Sequence, residues 1–499
     1  MKTIKKILIA NRGEIALRII RSAKEMGIQT VAVYSEADAY SPFVKAADES
    51  YLIGPPPSNQ SYLLGDKIIE TALKCKADAI HPGYGFLSEN ADFAEKVIQA
   101  GLIFIGPPPS AMRKIGDKLS AQKTAREQNV PMIAGSEGAV RAIKEAKKIA
   151  EKIGFPLLIK ASAGGGGKGM RLVTKTEELE ESIQRAMSEA LSAFGDDAVF
   201  IEKYAEEPKH IEVQILGDQH GNVVYLFERE CSVQRRHQKV IEEAPSAAVN
   251  DELRKKMGEC AVALAKAVGY YNAGTVEFLV DKHRNFYFLE VNARLQVEHP
   301  VTEMITGLDL VKEQIKIAMG EPLSFTQEDL KINGHAIEVR VSAEDPLNNF
   351  LPDIGKLIMY KRPQGQGIRV DDGYEEGMQI PIHYDPMIAK LIVHAKDRNA
   401  AIEKMIRAID DFKIVGIETT LDFCKFVLKH PDFVSGKFDT GFVSKYFTPE
   451  KLTELLTSDE QKIVAVMGAF IQEQEKNKMK AANNTLNDLH TSEWYRRRK

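Results

Sequence analysis

An α/β fold in three parts is predicted for this chain: a doubly wound N-terminal domain, a central domain built around a glycine-rich lid, and a mixed β domain toward the C-terminus. Three observations predict it. Over residues 1 to about 115, short apolar runs alternate with stretches of helical period, the pattern of parallel strands with covering helices. Within 155–170, an apolar strand runs directly into four consecutive glycines. Over 275–289, two runs rich in β-branched and aromatic residues flank a polar turn and read as a hairpin.

In the first part, 7–10 reads as a strand, 14–26 as a helix and 30–34 as a second strand, with 77–81 and 102–105 as further short parallel strands. The first turn is Asn11-Arg-Gly13. It lacks the Gly-x-Gly-x-x-Gly that brings a pyrophosphate onto a helix N-terminus, which argues against a dinucleotide. Gly54-Pro-Pro-Pro-Ser58 and Gly106-Pro-Pro-Pro-Ser110 repeat almost verbatim and read as rigid loop exits. In the centre, a helix over 118–128 precedes the glycine unit. A long amphipathic helix, a strand at 198–202 and antiparallel strands near 211–216 and 223–228 follow it. Strands at 336–341 and 388–393 flank a Gly-rich stretch near 365–377, and from Pro449 the chain turns helical, then polar. The expected divisions are 1–117, 118–320 with a lid subdomain at about 135–204, 321–448, and a tail at 449–499.

Hydrophobic content of 44% and charged content of 28% suit a soluble globular protein. A net charge of −4 gives no bulk attraction for nucleic acid or membrane, and neither is expected as a partner. Cys75, Cys231, Cys260 and Cys424 have neither metal-ligand nor disulfide spacing, which fits a reducing compartment. The N-terminus is basic and then apolar, but its apolar run of about four residues is too short for a signal sequence. It reads as a buried strand, and a cytoplasmic location is expected.

The richest chemistry lies in Glu290-Val-Asn-Ala-Arg-Leu-Gln-Val-Glu-His299. Read as an extended strand, it places Glu290, Asn292, Arg294, Gln296 and Glu298 on one face and Val291, Ala293, Leu295 and Val297 on the other. Carboxylates, amides and a guanidinium together suit a divalent metal and an oxyanion. If the turn Lys282-His-Arg-Asn285 closes a hairpin about its centre, residues whose numbers sum to 567 face each other, and Glu277 meets Glu290. Like charges roughly 5 Å apart are destabilising, and a hard cation such as Mg²⁺ removes the conflict. A solvent-facing hairpin with a tolerated acidic pair is the plain alternative. Asn292 and Arg294, continuing the same face, count against it.

Four further segments carry weaker signals. Glycines 164–167 allow close backbone approach to phosphate, and Lys160 at the strand end adds an ammonium; a flexible hairpin would look the same. Glu202-Lys203 ends a strand and could hydrogen-bond a nucleotide base, or be an exposed charge pair. Cys231-Ser-Val-Gln-Arg-Arg-His-Gln-Lys-Val240 concentrates Gln234, Arg235, Arg236, His237 and Lys239, reading as a solvated basic loop or as cations facing an internal anion. His210 fits a core position or a phosphate ligand, and Arg340 with Glu338 fits a surface pair.

These pieces resemble biotin carboxylase. The resemblance rests on Ile9-Ala-Asn-Arg-Gly-Glu-Ile-Ala16, His81-Pro-Gly-Tyr-Gly-Phe-Leu-Ser-Glu-Asn90, Lys160-Ala-Ser-Ala-Gly-Gly-Gly-Gly-Lys-Gly169, Gln234-Arg-Arg-His-Gln-Lys239 and 290–302, in order, over residues 2 to about 447. It implies an ATP-grasp central domain and ATP-dependent carboxylation of biotin, a ligase reaction forming a C–N bond. It implies that Lys118, Lys160, the lid glycines Gly165, Gly166 and Gly167, Glu202, Lys203, His210, Gln234 and His237 hold ATP. By the same resemblance, Glu277, Glu290 and Asn292 bind Mg²⁺ or Mn²⁺ at two sites, with both carboxylates also on the nucleotide side. Lys239, Arg294, Gln296 and the Val297 backbone bind bicarbonate. Glu298 is the implied base, Arg340 the stabiliser of the biotin enolate, and Tyr84 a neighbour of biotin.

Ala163 and Ala293 depart from residues frequent in the family, and both are small. No Ala-Met-Lys-Met biotinyl hairpin occurs; Lys478-Met-Lys480 in the tail is not taken as one. Biotin is therefore expected on a separate carrier protein, with a separate carboxyltransferase subunit and a homodimeric state. Another ATP-grasp ligase using an acyl phosphate would leave Arg294, Gln296 and Glu298 unexplained, and an inactive scaffold would not need Lys239 or Glu298.

Overall fold

The computed structural model describes residues 3–136, 138–161, 170–194 and 197–453, together with 466 and 473. Glycines 164–167 and the expected tail helix at 458–481, apart from 466 and 473, lie outside the described residues. Residues 1–447 form one compact unit.

Five parallel strands open the chain: β1 (Lys6–Ile9), β2 (Gln29–Ser35), β3 (Glu49–Gly54), β4 (Ala79–His81) and β5 (Ile103–Phe104), in the order β3-β2-β1-β4-β5. Winding outward from β1 places the switch in strand order between β1 and β4, where such sheets form a crevice. The turn after β1 and the loop after β4 meet there: Asn11 Nδ2 donates to the carbonyls of Pro82 and Tyr84, both at 2.7 Å. The helix Gly13–Glu25 buries Ile15, Ala16, Ile19, Ile20 and Ala23, a helical stripe that seals one sheet face. Gly106-Pro-Pro-Pro-Ser110, expected to be a loop exit, instead runs into the helix Pro109–Gly116, since proline fits a first turn where its missing N–H costs nothing.

A smaller antiparallel sheet follows, ordered β7-β6-β8 from β6 (Leu157–Ala161), β7 (Met170–Val173) and β8 (Val199–Lys203). Helices Ile143–Ile153 and Leu179–Phe194 cover it, with Ala146, Ala150, Ile159, Ile183 and Ile201 in their own small core.

The remaining strands are β9 (Lys209–Gly217), β10 (Val223–Arg235), β11 (Gln238–Ala244), β12 (Asn272–Val280), β13 (Phe286–Asn292), β14 (His335–Ser342), β15 (Glu344–Asp345), β16 (Leu351–Pro352), β17 (Met359–Lys361), β18 (Ile368–Asp372), β19 (Met387–Ala395) and β20 (Lys413–Val415). Eight of them make one sheet, ordered β13-β12-β9-β10-β11-β14-β19-β18. It joins strands from both sides of the expected division at 320, because β11 pairs with β14 from Ile241↔Val339 to Ala244↔Ala336. β15 with β16 and β17 with β20 form small antiparallel pairs.

The β12–β13 hairpin sets Glu277 opposite Glu290, as expected, but by another route. Near the turn the pairs sum to 566, with Val280 opposite Phe286. The turn is Asp281–Asn285, one residue longer than expected. Asp281 Oδ1 accepts from the N–H of His283 (2.8 Å) and of Asn285 (2.9 Å), which closes it. A β-bulge then leaves Leu289 without a partner and moves the register to 567 at Glu277 and Glu290.

The second correction concerns length. The strand stops at Asn292 rather than running to Glu298. The N–H of Ala293 donates to Glu89 Oε1 (3.0 Å) instead of a strand partner. Residues 293–298 bend into the helix His299–Thr306, whose second residue is Pro300 and whose N-cap is Glu298.

Candidate active site

The bend gathers what a straight strand would have spread along one face. Lys239, on β11, donates from Nζ to Glu212 Oε2 (2.5 Å), Glu277 Oε1 (3.0 Å) and Glu298 Oε1 (2.7 Å). Arg340, on β14, donates to the other oxygen of Glu298 (3.0 Å) and, through Nε, to Glu242 (2.7 Å). Glu298 is fully buried with a cation on each oxygen. Arg340 is therefore no surface pair: one partner is Glu298, and the neighbouring Glu338 is itself fully buried.

Glu277 collects the other donors. Its Oε1 accepts from Asn292 Nδ2 (3.0 Å) and Gln296 Nε2 (3.4 Å), and its Oε2 lies 3.0 Å from His210 Nε2. Arg294 reaches Gln296 Oε1 at 2.9 Å and is held from behind by Glu89 at 3.0 Å.

Burial raises the proton affinity of every carboxyl here, and the neighbouring charges decide the outcome. For Glu298, the charges of Lys239, Arg340 and Arg229 outweigh burial and hold the carboxyl well below its ordinary range. For Glu277, Lys239 and His210 outweigh it in the same way. Glu290 goes the other way, because burial in the cleft is reinforced by the charge of Glu277. Glu242 is pushed up to about 7, chiefly by burial, with Arg340 opposing. Lys239 is driven well above the usual lysine range: burial lowers it, but Glu212, Glu277 and Glu298 prevail.

Two cavities flank this cluster. One, of about 630 Å³, is lined by Tyr84, Arg235, Lys239, Arg294, Val297 and Arg340. The other, of about 410 Å³, is lined by Lys118, Lys160, Glu202, Glu290 and Asn292. Asn292 and Arg294, two residues apart, thus open on different chambers. Gln296, Glu298, His210 and Glu277 are buried between them.

Other expected residues have protein partners of their own, and one is exposed outside both cavities. Lys203 Nζ donates to the Phe155 carbonyl (2.6 Å), and Lys160 pairs with Glu202 at 2.5 Å. Gln234 Nε2 lies 2.9 Å from His210 Nδ1. His237 is exposed at the tip of the β10–β11 hairpin, where its φ of 66° follows Arg236 at 49°, and it lines neither cavity. The basic segment 231–240 is therefore a hairpin, with Lys239 turned inward and Arg236 and His237 turned out. Gly165, Gly166 and Gly167 lie outside the described residues.

Residues that sequence reasoning missed include Glu212, Arg229, Glu242 and Glu89. Arg229 is wholly buried and donates to Glu212 (2.5 Å), Gln214 (2.7 Å), Thr302 (3.0 Å) and Thr275 (3.1 Å), which fixes the floor beneath Lys239. A signal existed. Glu212 and Gln214 alternate with Ile211, Val213 and Ile215 in β9, so they had to share a face with partners in the same sheet.

Glu277, Glu290 and Asn292 offer hard oxygen donors, and the raised carboxyl of Glu290 beside Glu277 marks a place where a cation relieves repulsion; the residues fit Mg²⁺ or Mn²⁺. Ligand atoms of His210, Glu212 and Glu277 also lie within 4.8 Å of one another, but Lys239 already bridges Glu212 and Glu277.

A sheet-bound acidic pair, a small separate antiparallel sheet and two flanking cavities suit an ATP-grasp ligase. Residues 117–326 match the family model "Carbamoyl-phosphate synthase L chain, ATP binding domain", residues 3–112 "Biotin carboxylase, N-terminal domain", and residues 338–445 "Biotin carboxylase C-terminal domain". The chain belongs to the biotin carboxylase family. It is 52% identical to Biotin carboxylase 1 of Bacillus subtilis over 89% of this chain and 99% of that protein. It is 51% identical to the propionyl-CoA carboxylase alpha chain of Ruegeria pomeroyi, over 93% of this chain and 71% of that one. A solved dimer of the biotin carboxylase domain of Hydrogenobacter thermophilus 2-oxoglutarate carboxylase, with MgADP, ADP and bicarbonate, superposes with a TM-score of 0.84 at 47% identity, covering 91% of this chain and 99% of that one. Among the described residues, no helix is long and apolar enough to cross a membrane.

Proposed function

We propose that this chain carboxylates biotin held on a separate carrier protein, using ATP and bicarbonate, as the first half-reaction of a biotin-dependent carboxylase. The observation that carries the reading is buried Glu298 clamped between Lys239 and Arg340, both of which line the first cavity.

ATP occupies the chamber of Lys118, Lys160, Glu202 and Glu290, with His210, Gln234, Lys203 and the lid glycines as further contacts, whereas outward-turned His237 reaches it only if the hairpin tip moves. Glu277, Glu290 and Asn292 hold Mg²⁺ or Mn²⁺, which when bound neutralises phosphate charge. Bicarbonate sits against Lys239, Arg294, Gln296 and the Val297 N–H. A carboxylate base and a cationic clamp are what so poor a nucleophile requires. As bicarbonate draws on Lys239, that lysine's grip on Glu298 loosens and the carboxylate gains proton affinity. Glu298 takes the bicarbonate proton while the oxyanion attacks the γ-phosphorus, ADP leaves, and carboxyphosphate forms. Its C–O bond then breaks to give CO₂ and phosphate. The phosphate accepts the ureido N–H proton of biotin in the first cavity, near Tyr84, and the freed nitrogen bonds to CO₂. Arg340 stabilises the ureido enolate, and its half-buried guanidinium, already held by Glu242 and Glu298, meets that charge without reorganising.

The carrier and the carboxyltransferase are separate subunits, the chain is a homodimer, and the carboxyltransferase selects the final acceptor. The relatives named for propionyl-CoA carboxylase and 2-oxoglutarate carboxylase illustrate that variety. Four free cysteines support a reducing, cytoplasmic setting. The test is ADP release by the purified chain. Stimulation by free biotin that requires bicarbonate supports the reading, and no stimulation ends it.

A further inference from the structure

Two buried side chains outside the roles above hold the turn between Gln296 and Glu298. The ring of His299, fully buried, lies with Nδ1 2.8 Å from the Gln296 carbonyl, whose oxygen also accepts from the His299 N–H at 3.3 Å. A carbonyl only accepts, so Nδ1 carries the proton and the tautomer is fixed. Burial, reinforced by the charges of Lys390 and Arg18, holds His299 well below the ordinary imidazole range, so the ring stays neutral. The Gln296 carbonyl and the Val297 N–H belong to one planar peptide. Fixing the carbonyl fixes where that N–H points.

The next peptide is fixed from the opposite side. Lys390, on β19, has no exposed surface, yet its Nζ donates to the Val297 carbonyl at 2.8 Å. In the sheet it stands between Arg340 of β14 and Asp371 of β18. Glu14, in the first turn of the helix that follows Asn11-Arg-Gly13, lies 3.5 Å away and Asp371 4.0 Å away. Gly373 allows this approach, since a Cβ there would fall 2.7 Å from the Glu14 nitrogen. The N-terminal turn thus braces the lysine from across the crevice.

We propose that His299 and Lys390 are positioning residues for the oxyanion: His299 orients the Val297 N–H toward bicarbonate, and Lys390 sets the peptide that carries Glu298. The inference rests on the bicarbonate site proposed above. Neither side chain lines the nucleotide cavity, so their loss acts on bicarbonate and spares ATP. Preorganised donors of this kind contribute because they need not reorganise during reaction.

The test measures kcat/KM for bicarbonate and equilibrium ATP affinity in the full-length wild-type protein and in Lys390→Met, His299→Ala and His299→Asn. An Asn amide nitrogen can take the place of Nδ1 as donor. We expect kcat/KM for bicarbonate to fall roughly tenfold to a hundredfold in Lys390→Met and His299→Ala, and to recover to within about threefold of wild type in His299→Asn. ATP affinity stays within about twofold throughout. The proposal is overturned if His299→Asn falls as far as His299→Ala, or if ATP affinity falls in parallel. An unchanged bicarbonate kcat/KM in Lys390→Met overturns the lysine's part, and if that variant does not fold, the histidine pair decides the mechanism. Failure of the underlying reading shows separately, as wild-type protein without bicarbonate-dependent ATP turnover.

Discussion

Glu277 and Glu290 face each other across the β12–β13 ladder, and their carboxyls are displaced in opposite directions. Both feel burial, which favours the neutral form. Glu277 escapes it because Lys239 and His210 lie beside it, whereas Glu290 bears both the burial and its neighbour's negative charge.

A cation at this pair therefore acts through Glu290. Glu290→Gln should lower ADP affinity in the presence of Mg²⁺ by roughly tenfold or more, with little change in its absence. Calorimetric titration with and without metal checks this, and equal losses in both conditions would contradict it.

Glu298→Gln should reduce kcat by about 10²–10⁴-fold, the range of a positioned base. Nucleotide binding should be preserved, because Glu298 lines neither cavity wall on the ATP side. Single-turnover rates with ATP in excess separate the two effects.

Acid sensitivity follows from the depressed carboxyls. Glu277 and Glu298 titrate lower in the fold than in the unfolded chain, where glutamate lies near about 4.3. Their contribution to stability is fully present above that value and is lost as pH falls toward the lowered folded values. Melting temperature measured from pH 7 down to 3 should drop steeply below about pH 4.3, and the Glu277→Gln/Glu298→Gln double variant should show a shallower drop.

Lys239→Met should cost about 3–5 kcal/mol of folding stability, since it removes the cation shared by three buried carboxylates and leaves their mutual repulsion only partly offset by Arg229, His210 and Arg340. Adding Glu212→Gln should restore part of that loss. Urea unfolding of the single and double variants gives the coupling directly.

Arg340→Ala should lower the biotin-dependent rate about a hundredfold while leaving ATP affinity intact, because Arg340 lines only the other cavity. A parallel fall in ATP affinity would argue that the arginine supports the whole sheet.

How much of this was readable beforehand depended on the kind of information involved. Local periodicity placed β1, β2, β9 and β14 nearly to the residue, because apolar alternation is written in each strand. The meeting of Glu277 with Glu290 was legible from hairpin arithmetic, but the five-residue turn and the bulge at Leu289 were not: they cancel, and each depends on side-chain contacts within the fold. The segment ending at Glu298 carried the right residues with the wrong geometry. What ends the strand is Glu89, about two hundred positions away, and no local pattern records that. Arg229 and Lys390 stayed hidden for a related reason. A charged residue inside an apolar strand declares a partner only once its neighbouring strands are known.

The unbroken eight-stranded sheet has a consequence for how this molecule can be divided or inherited. A cut near residue 320 would strip β14 from β11 and leave the main chain of 241–244 as a bare edge, open to pairing with other chains. The central and C-terminal segments, which match separate family models, thus share one hydrogen-bonded sheet. These two cannot be exchanged between proteins one at a time, and the strands of the shared sheet should lose their protection from hydrogen exchange together.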